Sequence, residues 1–299
     1  MTGFDLSEGL TLVQAWTAAR HRLAAAAIES PVIDARLLLE VAASATRTDI
    51  VTDPYRPLTS EQIRTYDSYL ARREAREPVS HIIGRKGFWT LELKVTPDVL
   101  TPRPDTEVIV DLVVKTSPMD KRVRILDLGV GSGAIILAIL NELPLAEGIG
   151  IDISLPALEV ARENAARVLL EHRVTFAHAN WTEGQKDEAY DIVVSNPPYI
   201  ATDVIATLEP EVRDHEPMLA LDGGADGLNA YRLLAGEIMR VLKPDGWFAI
   251  EIGYDQSKSV EALMRDAGAQ RVRTVRDLSN RDRVVTGVKN ILGKAATIG

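Results

Sequence analysis

At 299 residues the chain has the length of two domains, or of one large domain with an appendage, and its 46% hydrophobic and 26% charged content excludes disorder as the main state. The absence of cysteine removes a disulfide scaffold, a cysteine nucleophile and any thiolate metal site, and five scattered histidines with no HxH or HxxxH pair leave no metal expected. A net charge of −9, from 34 basic and 43 acidic residues, argues against a protein that coats nucleic acid, and the lack of a long apolar run or a basic leader (the chain starts MTGFDLSEGL) makes a cytoplasmic protein with no membrane partner the expectation.

Segments 9–28, 32–44 and 59–76 carry Leu, Ala, Ile and Tyr at helical spacing. Ser30-Pro31 and the run Asp53 to Pro57 punctuate them as turns, and Thr59 or Ser60 can cap the third. This predicts a bundle of three to five helices over residues 1–85. Between Arg64 and Lys86 stand six basic residues (Arg64, Arg72, Arg73, Arg76, Arg85, Lys86) against three acids (Asp67, Glu74, Glu77), a run of charge read first as a solvated helix face.

Residues 87–101 alternate apolar and polar positions with aromatic and β-branched types, as two short strands would, so 86–104 is read as a hairpin-like connector. Thr101-Pro102-Arg103-Pro104-Asp105-Thr106-Glu107 then stiffens the chain on both sides of an arginine and opens a helix to about Lys115. From Val123 strands and helices alternate. Strands are predicted at 123–128, 148–152, 174–178, 190–195, 247–252, 271–277 and 283–288, and helices at 133–142, 155–170, 227–242 and 256–267. Near-continuous apolar strands separated by helices describe an α/β, Rossmann-like domain over 105–299, with a mostly parallel seven-stranded sheet covered on both faces. The turn at Ser279 to Asp282 joins the last two strands as a hairpin and adds an antiparallel strand at the end of that sheet.

The first of these strands ends in Asp127-Leu128-Gly129-Val130-Gly131-Ser132-Gly133 and enters a helix. Such glycines permit a tight turn and let main-chain N–H groups approach a ligand closely. With Ala134 the string also fits a dinucleotide fingerprint, so by itself it does not separate a nicotinamide oxidoreductase from an S-adenosylmethionine enzyme. Three features favour the second. Asp127 places a carboxylate where a pyrophosphate would be repelled and a methionine ammonium would not. Asp152, at the end of the second strand, suits a grip on ribose hydroxyls. Asn180-Trp181, after the third strand, can hydrogen-bond and pack on adenine.

The fourth strand ends in Ser195-Asn196-Pro197-Pro198-Tyr199-Ile200. A planar –NH2 group is a poor nucleophile because its lone pair is delocalised. To attack a sulfonium methyl it must be held in line at about 3–3.5 Å. The Asn196 side-chain oxygen and the Pro197 carbonyl can each accept one of its N–H bonds, and both bonds strengthen as positive charge develops on nitrogen. Tyr199 can stack on the flat amide or base. No acid–base residue with a shifted pKa is demanded.

These residues, with SPVIDARLLLE (30–40), REPVSHIIG (76–84), GFWTLELKV (87–95), TPRPDTE (101–107), EVRDHEPMLAL (211–221) and RDLSNRDRVV (276–285), make the chain resemble the peptide chain release factor glutamine methyltransferases, the HemK/PrmC family. The resemblance spans roughly residues 10–290. It implies a class I methyltransferase fold with a small N-terminal helical domain that binds the release factor. It also implies methyl transfer from S-adenosyl-L-methionine, leaving S-adenosyl-L-homocysteine, to the side-chain nitrogen of the glutamine in a Gly-Gly-Gln motif. By motif, Gly129, Val130, Gly131, Ser132, Gly133, Asp152, Trp181 and Asn196 would line the cofactor, with Asp127 beside them. Asn196, Pro197, Pro198 and Tyr199 would hold the glutamine, and Phe88, Arg103 and the rest of Pro102–Thr106 would wall its pocket. Glu216-Pro217 is placed to cover the site. Asn180 stands where the family usually has Asp, and Val130 where it usually has Thr.

Two rival enzymes remain in view. A ribosomal-protein glutamine methyltransferase would share the chemistry; an adenine-N6 methyltransferase shares Asn-Pro-Pro-Tyr but needs a basic reading surface that a chain at −9 lacks. A cofactor-binding scaffold that does not turn over is the alternative outside enzymes. The expected partner is a release factor, with no direct nucleic acid, and nothing in the sequence asks for more than a monomer.

Overall fold

The computed structural model describes residues 9–289; most of the acidic N-terminal stretch lies outside them. The described chain divides into two compact units, one running to Gly84 and including Glu209–His215, the other formed by Arg85–Leu208 and the chain from Glu216 onward.

Among the described residues, the part of the first unit up to Gly84 holds five helices: α1 (Leu12–Ala25), α2 (Pro31–Ala42), α3 (Arg47–Thr52), α4 (Ser60–Glu74) and α5 (Val79–Ile83). Thr59 caps α4 reciprocally with Gln62: its hydroxyl accepts from the Gln62 N–H at 3.2 Å and its own N–H donates to Gln62 Oε1 at 3.0 Å. Leu12, Ala15, Ala19 and Leu23 of α1 and Leu38 and Leu39 of α2 form a fully buried seam, the reason for the helical spacing. The basic run does not present a plain solvated face. Arg72 pairs with Glu77, Arg76 pairs with Glu211, and buried Arg73 bridges Asp34 and Glu211 at 2.8 Å each.

The second unit opens with an antiparallel hairpin, β1 (Arg85–Phe88) and β2 (Leu91–Lys94). A 3₁₀ turn, Pro104–Thr106, leads into α6 (Glu107–Thr116). There follow β3 (Arg124–Leu128), α7 (Ala134–Glu142), β4 (Glu147–Asp152), α8 (Leu155–Arg167), β5 (Val174–His178) and β6 (Tyr190–Ser195). Three one-turn helices come next, α9 (Thr202–Ile205), α10 (Pro210–Arg213, within the first unit) and α11 (Met218–Leu221). The chain closes with α12 (Asn229–Val241), β7 (Leu242–Glu251), α13 (Ser257–Asp266), β8 (Gln270–Arg276) and β9 (Asp282–Val288).

The sheet order is β5-β4-β3-β6-β7-β9-β8, parallel through β7. The antiparallel strand is β9. It lies one place in from the edge, which β8 occupies, because the closing hairpin inserts its second strand against β7. Strand order reverses between β3 and β6, and at such a switch the C-terminal ends of neighbouring strands splay their loops apart and leave a crevice for a ligand. Among the described residues no helix is long and apolar enough to cross a membrane.

Candidate active site

A cavity of about 230 Å³ lies at these strand ends, entirely within the second unit. One wall is the turn after β3. Gly129, Gly131 and Gly133 all take positive φ (73°, 53° and 84°), a region that disfavours side chains, so three glycines in seven residues are what this turn requires. The turn is then tied down by main chain. The N–H groups of Gly129 and Val130 both donate to the Ile151 carbonyl at 2.9 Å, which locks the loop to the end of β4.

Asp152 faces the same turn. It accepts from Gly131 N at 2.9 Å on Oδ2 and from Ser154 N at 2.9 Å on Oδ1. Two main-chain donors fix the carboxylate, and each oxygen keeps a lone pair for a ligand hydroxyl. Trp181, itself at φ 50°, closes this side; a Cβ on Gly129 would touch its ring at 3.7 Å. Val130 is buried and lies over Gly150, where a Cβ would fall 2.7 Å from Val130 Cγ2. That contact accounts for glycine at 150. From α8, buried Asn164 donates to the Ser132 carbonyl at 2.9 Å and accepts from Lys94 N at 2.6 Å, joining the turn to the hairpin.

The facing wall comes from the loop after β6. Asn196 lines the cavity together with Gly131 and Asp152, and its Nδ2 donates to Thr106 Oγ1 at 3.2 Å. With the nitrogen so engaged, the carbonyl oxygen is the end of the amide left to accept. The loop's main chain is pressed into shape by the turn at Gly223–Gly227. A Cβ on Gly227 would sit inside van der Waals distance of the Tyr199 carbonyl oxygen, which also accepts from Gln256 Nε2 at 3.0 Å. Arg103 lines the cavity and donates to Glu216 Oε2 at 2.6 Å. That carboxylate is buried, which raises its pKa, with Arg103 pulling the other way. Pro217, Leu219 and Ala220 follow along the rim.

Of the residues singled out from sequence, the cavity therefore gathers Gly129, Val130, Gly131, Ser132, Asp152, Trp181, Asn196, Pro198 and Arg103, along with Asn180. Five stand apart. Asp127 is fully buried beneath the turn, with Oδ2 accepting from Ile136 N at 3.2 Å and Oδ1 unpartnered, and burial pushes its pKa up to about 8. Gly133 sets the start of α7 rather than the lining. Pro197, between the lining residues Asn196 and Pro198, is buried and does not itself line the cavity. Tyr199 directs its hydroxyl to Glu251 Oε1 at 3.2 Å instead of offering its ring to the cavity. Phe88 lies on the inner face of the hairpin, in the core with Leu93, Ile109 and Val113, because that face of the alternating strand must be covered. Conversely, Asp98, Val99, Leu100 and Ile153 line the cavity without having been marked in the sequence, and the supports Glu251, Gln256 and Asn164 were also missed. For Glu251 a signal existed: an acid ending the apolar strand WFAIE at the ligand-binding rim.

Residues 14–84 match a family model described as the PrmC N-terminal domain, and residues 119–285 match one described as a methyltransferase domain. A curated protein of Caulobacter vibrioides named release factor glutamine methyltransferase is 65% identical over 96% of this chain and 99% of its own. One of the same name from Agrobacterium fabrum is 46% identical over 90% of this chain and 94% of its own. Among solved structures, a methyltransferase from Pyrococcus furiosus shares the fold at a TM-score of 0.53 and 19% identity, over 74% of this chain and all of that one. Fold, domain content and identity over nearly the whole length agree, and the chain belongs to the release factor glutamine methyltransferases.

Proposed function

We propose that the protein transfers a methyl group from S-adenosylmethionine to the side-chain amide nitrogen of the glutamine in a release factor's Gly-Gly-Gln motif. The observation that carries this reading is the shared cavity. The Asn196 amide, turned so that its oxygen is free to accept, faces the same space as the glycine turn and Asp152.

The residues present fit the methyl donor. Asp152 is pre-oriented by two N–H groups with lone pairs to spare, Trp181 offers an aromatic wall against Gly129, and the turn is clear of side chains where a ligand would approach. When bound, S-adenosylmethionine supplies an electrophilic methyl on a sulfonium. Everything else is positioning. Asn196 Oδ1 takes an N–H bond of the substrate carboxamide and sets its nitrogen toward that methyl. Proline at 197 and 198 stiffens the loop that carries Asn196 and contributes no competing N–H. As the nitrogen becomes positive this bond tightens, so it stabilises the transition state more than the ground state. The methylated nitrogen then loses a proton to solvent. The apolar rim at Pro217, Leu219 and Ala220 limits water around the reacting atoms.

The test is methyl transfer from labelled donor to a purified release factor and to the same factor with its motif glutamine replaced. Signal on the first alone supports the reading; equal signal on both overturns the target residue. Release of label into a ribosomal protein in place of the release factor would overturn the substrate.

A further inference from the structure

Glu251 closes β7, the neighbour of the strand that leads into the Asn196 loop. Its side chain is buried, and burial pushes its carboxyl up to about 7. A buried carboxyl costs stability unless it is well partnered, and this one is partnered by residues of the site. The Tyr199 hydroxyl donates to Oε1 at 3.2 Å, Oε2 has no hydrogen-bond partner, and the Thr106 hydroxyl lies near enough to the carboxylate to pull its pKa down against burial. Arg283 of β9 lies close, but it is shared with Asp105 at 3.0 Å and Asp277 at 3.4 Å. Tyr231 of α12 donates to the Glu251 main-chain carbonyl at 2.9 Å.

Thr106 is the link to the chemistry. A hydroxyl has one proton to give. If that proton goes to the Glu251 carboxylate, the Thr106 oxygen can only accept, and Asn196 Nδ2 stands 3.2 Å from it. The carboxamide is thereby set nitrogen toward Thr106, with its oxygen the end presented to a substrate N–H. Turned end for end, Asn196 would offer a donor to a donor. We propose that Glu251 is a positioning residue for methyl transfer: through Thr106 it decides which way round the Asn196 carboxamide sits, and through Tyr199 it anchors the loop that carries it. This rests on Asn196 acting as the amide acceptor.

The carboxylate is the working form. Once protonated, Glu251 becomes a donor toward Thr106, whose own proton then turns to Asn196 and favours the reversed amide. Transfer should accordingly be full above the Glu251 pKa and fall as pH drops through it.

The experiment compares wild type, E251Q, T106V and T106S for transfer to a release factor from pH 6 to 9, alongside S-adenosylhomocysteine affinity and melting temperature. Wild-type kcat should rise through a step near pH 7. E251Q, with a donor in place of one acceptor, should lose about ten- to a hundredfold in kcat at pH 8 and lose the step. S-adenosylhomocysteine affinity should stay within about twofold of wild type, and KM for the release factor should rise by less than kcat falls, since the bond to Asn196 strengthens in the transition state. T106V should reproduce E251Q, T106S should restore activity, and the double variant should be no worse than either single. Wild-type kcat with an unchanged pH step in E251Q overturns the inference. So does a T106S as impaired as T106V, which decides the matter should E251Q fail to fold. A wild-type chain inactive on the release factor overturns the functional reading and this inference with it; active wild type beside unaffected variants overturns this inference alone.

Discussion

The two walls of the cavity are built by different means. The wall at β3 and β4 is held by main-chain donors: Gly129 and Val130 N–H to the Ile151 carbonyl, and Gly131 N–H to the Asp152 carboxylate, which Ser154 N–H also holds. The wall at Asn196 is a relay of side chains. Arg103, just before the 3₁₀ turn, and Asp105 and Thr106 within it reach three separate parts of the chain: Arg103 to Glu216, Asp105 to Arg283 and Thr106 to Asn196. A wall held by main-chain donors tolerates change in its side chains, the accepting carboxylate of Asp152 excepted, but not in backbone conformation. A side-chain wall behaves the other way, and its parts should fail together because they share partners.

Asn196→Ala breaks the second wall at its working end. One acceptor for the developing charge is lost, and kcat should fall about 10²–10³-fold while S-adenosylhomocysteine still binds. Retained turnover, measured with saturating donor, would mean that the carboxamide is held elsewhere. Asp152→Ala tests the first wall. It removes the carboxylate that receives two N–H groups, so donor affinity should drop roughly tenfold to a hundredfold with kcat at saturation largely kept. Calorimetric titration with S-adenosylhomocysteine separates the two variants, because each should damage the parameter that the other spares.

Gly227→Ala asks whether the side-chain wall also has a main-chain requirement. At φ 72° a Cβ is strained, and it would press on the Tyr199 carbonyl and Gln256. Displacing that loop by a fraction of an ångström should cut kcat about tenfold and lower the melting temperature, with donor affinity unchanged. A variant with normal kcat would show that the loop has room to relax without moving Asn196.

This contrast also explains what could be read from the sequence. The glycine turn, Asp152 and Trp181 follow strand ends directly, so local spacing places them, and the cavity gathers them. Arg103 was reachable because two prolines frame it. The link from Thr106 to Asn196 spans 90 positions, and that from Arg103 to Glu216 spans 113; no local pattern encodes such pairings. Phe88 and Tyr199 show the opposite difficulty. An aromatic beside a motif reads as a ligand contact, yet one ring fills the core under the hairpin and the other hydroxyl anchors a loop. The order of β8 and β9 likewise depends on which hairpin strand meets β7, a choice made by packing rather than by the turn between them.

Asp127 offers the smallest effect and the sharpest test of the main-chain wall. Sequence reasoning set its carboxylate against a ligand ammonium, whereas the structure buries it, bonded to Ile136 N, with a pKa pushed to about 8. The linkage has a definite sign. Between about pH 4 and pH 8 the unfolded chain has released this proton and the folded chain retains it, so the unfolded state binds fewer protons and stability declines as pH rises across that window. Asp127→Asn is neutral in both states and keeps an acceptor for Ile136 N. Its melting temperature should gain on wild type as pH rises, by a few degrees at pH 8, and S-adenosylhomocysteine affinity should hold within a few-fold. Parallel melting curves would mean that the carboxyl ionises as easily folded as unfolded. A loss of affinity by a hundredfold would mean that, once the donor binds, the wall opens enough for this buried charge to meet it.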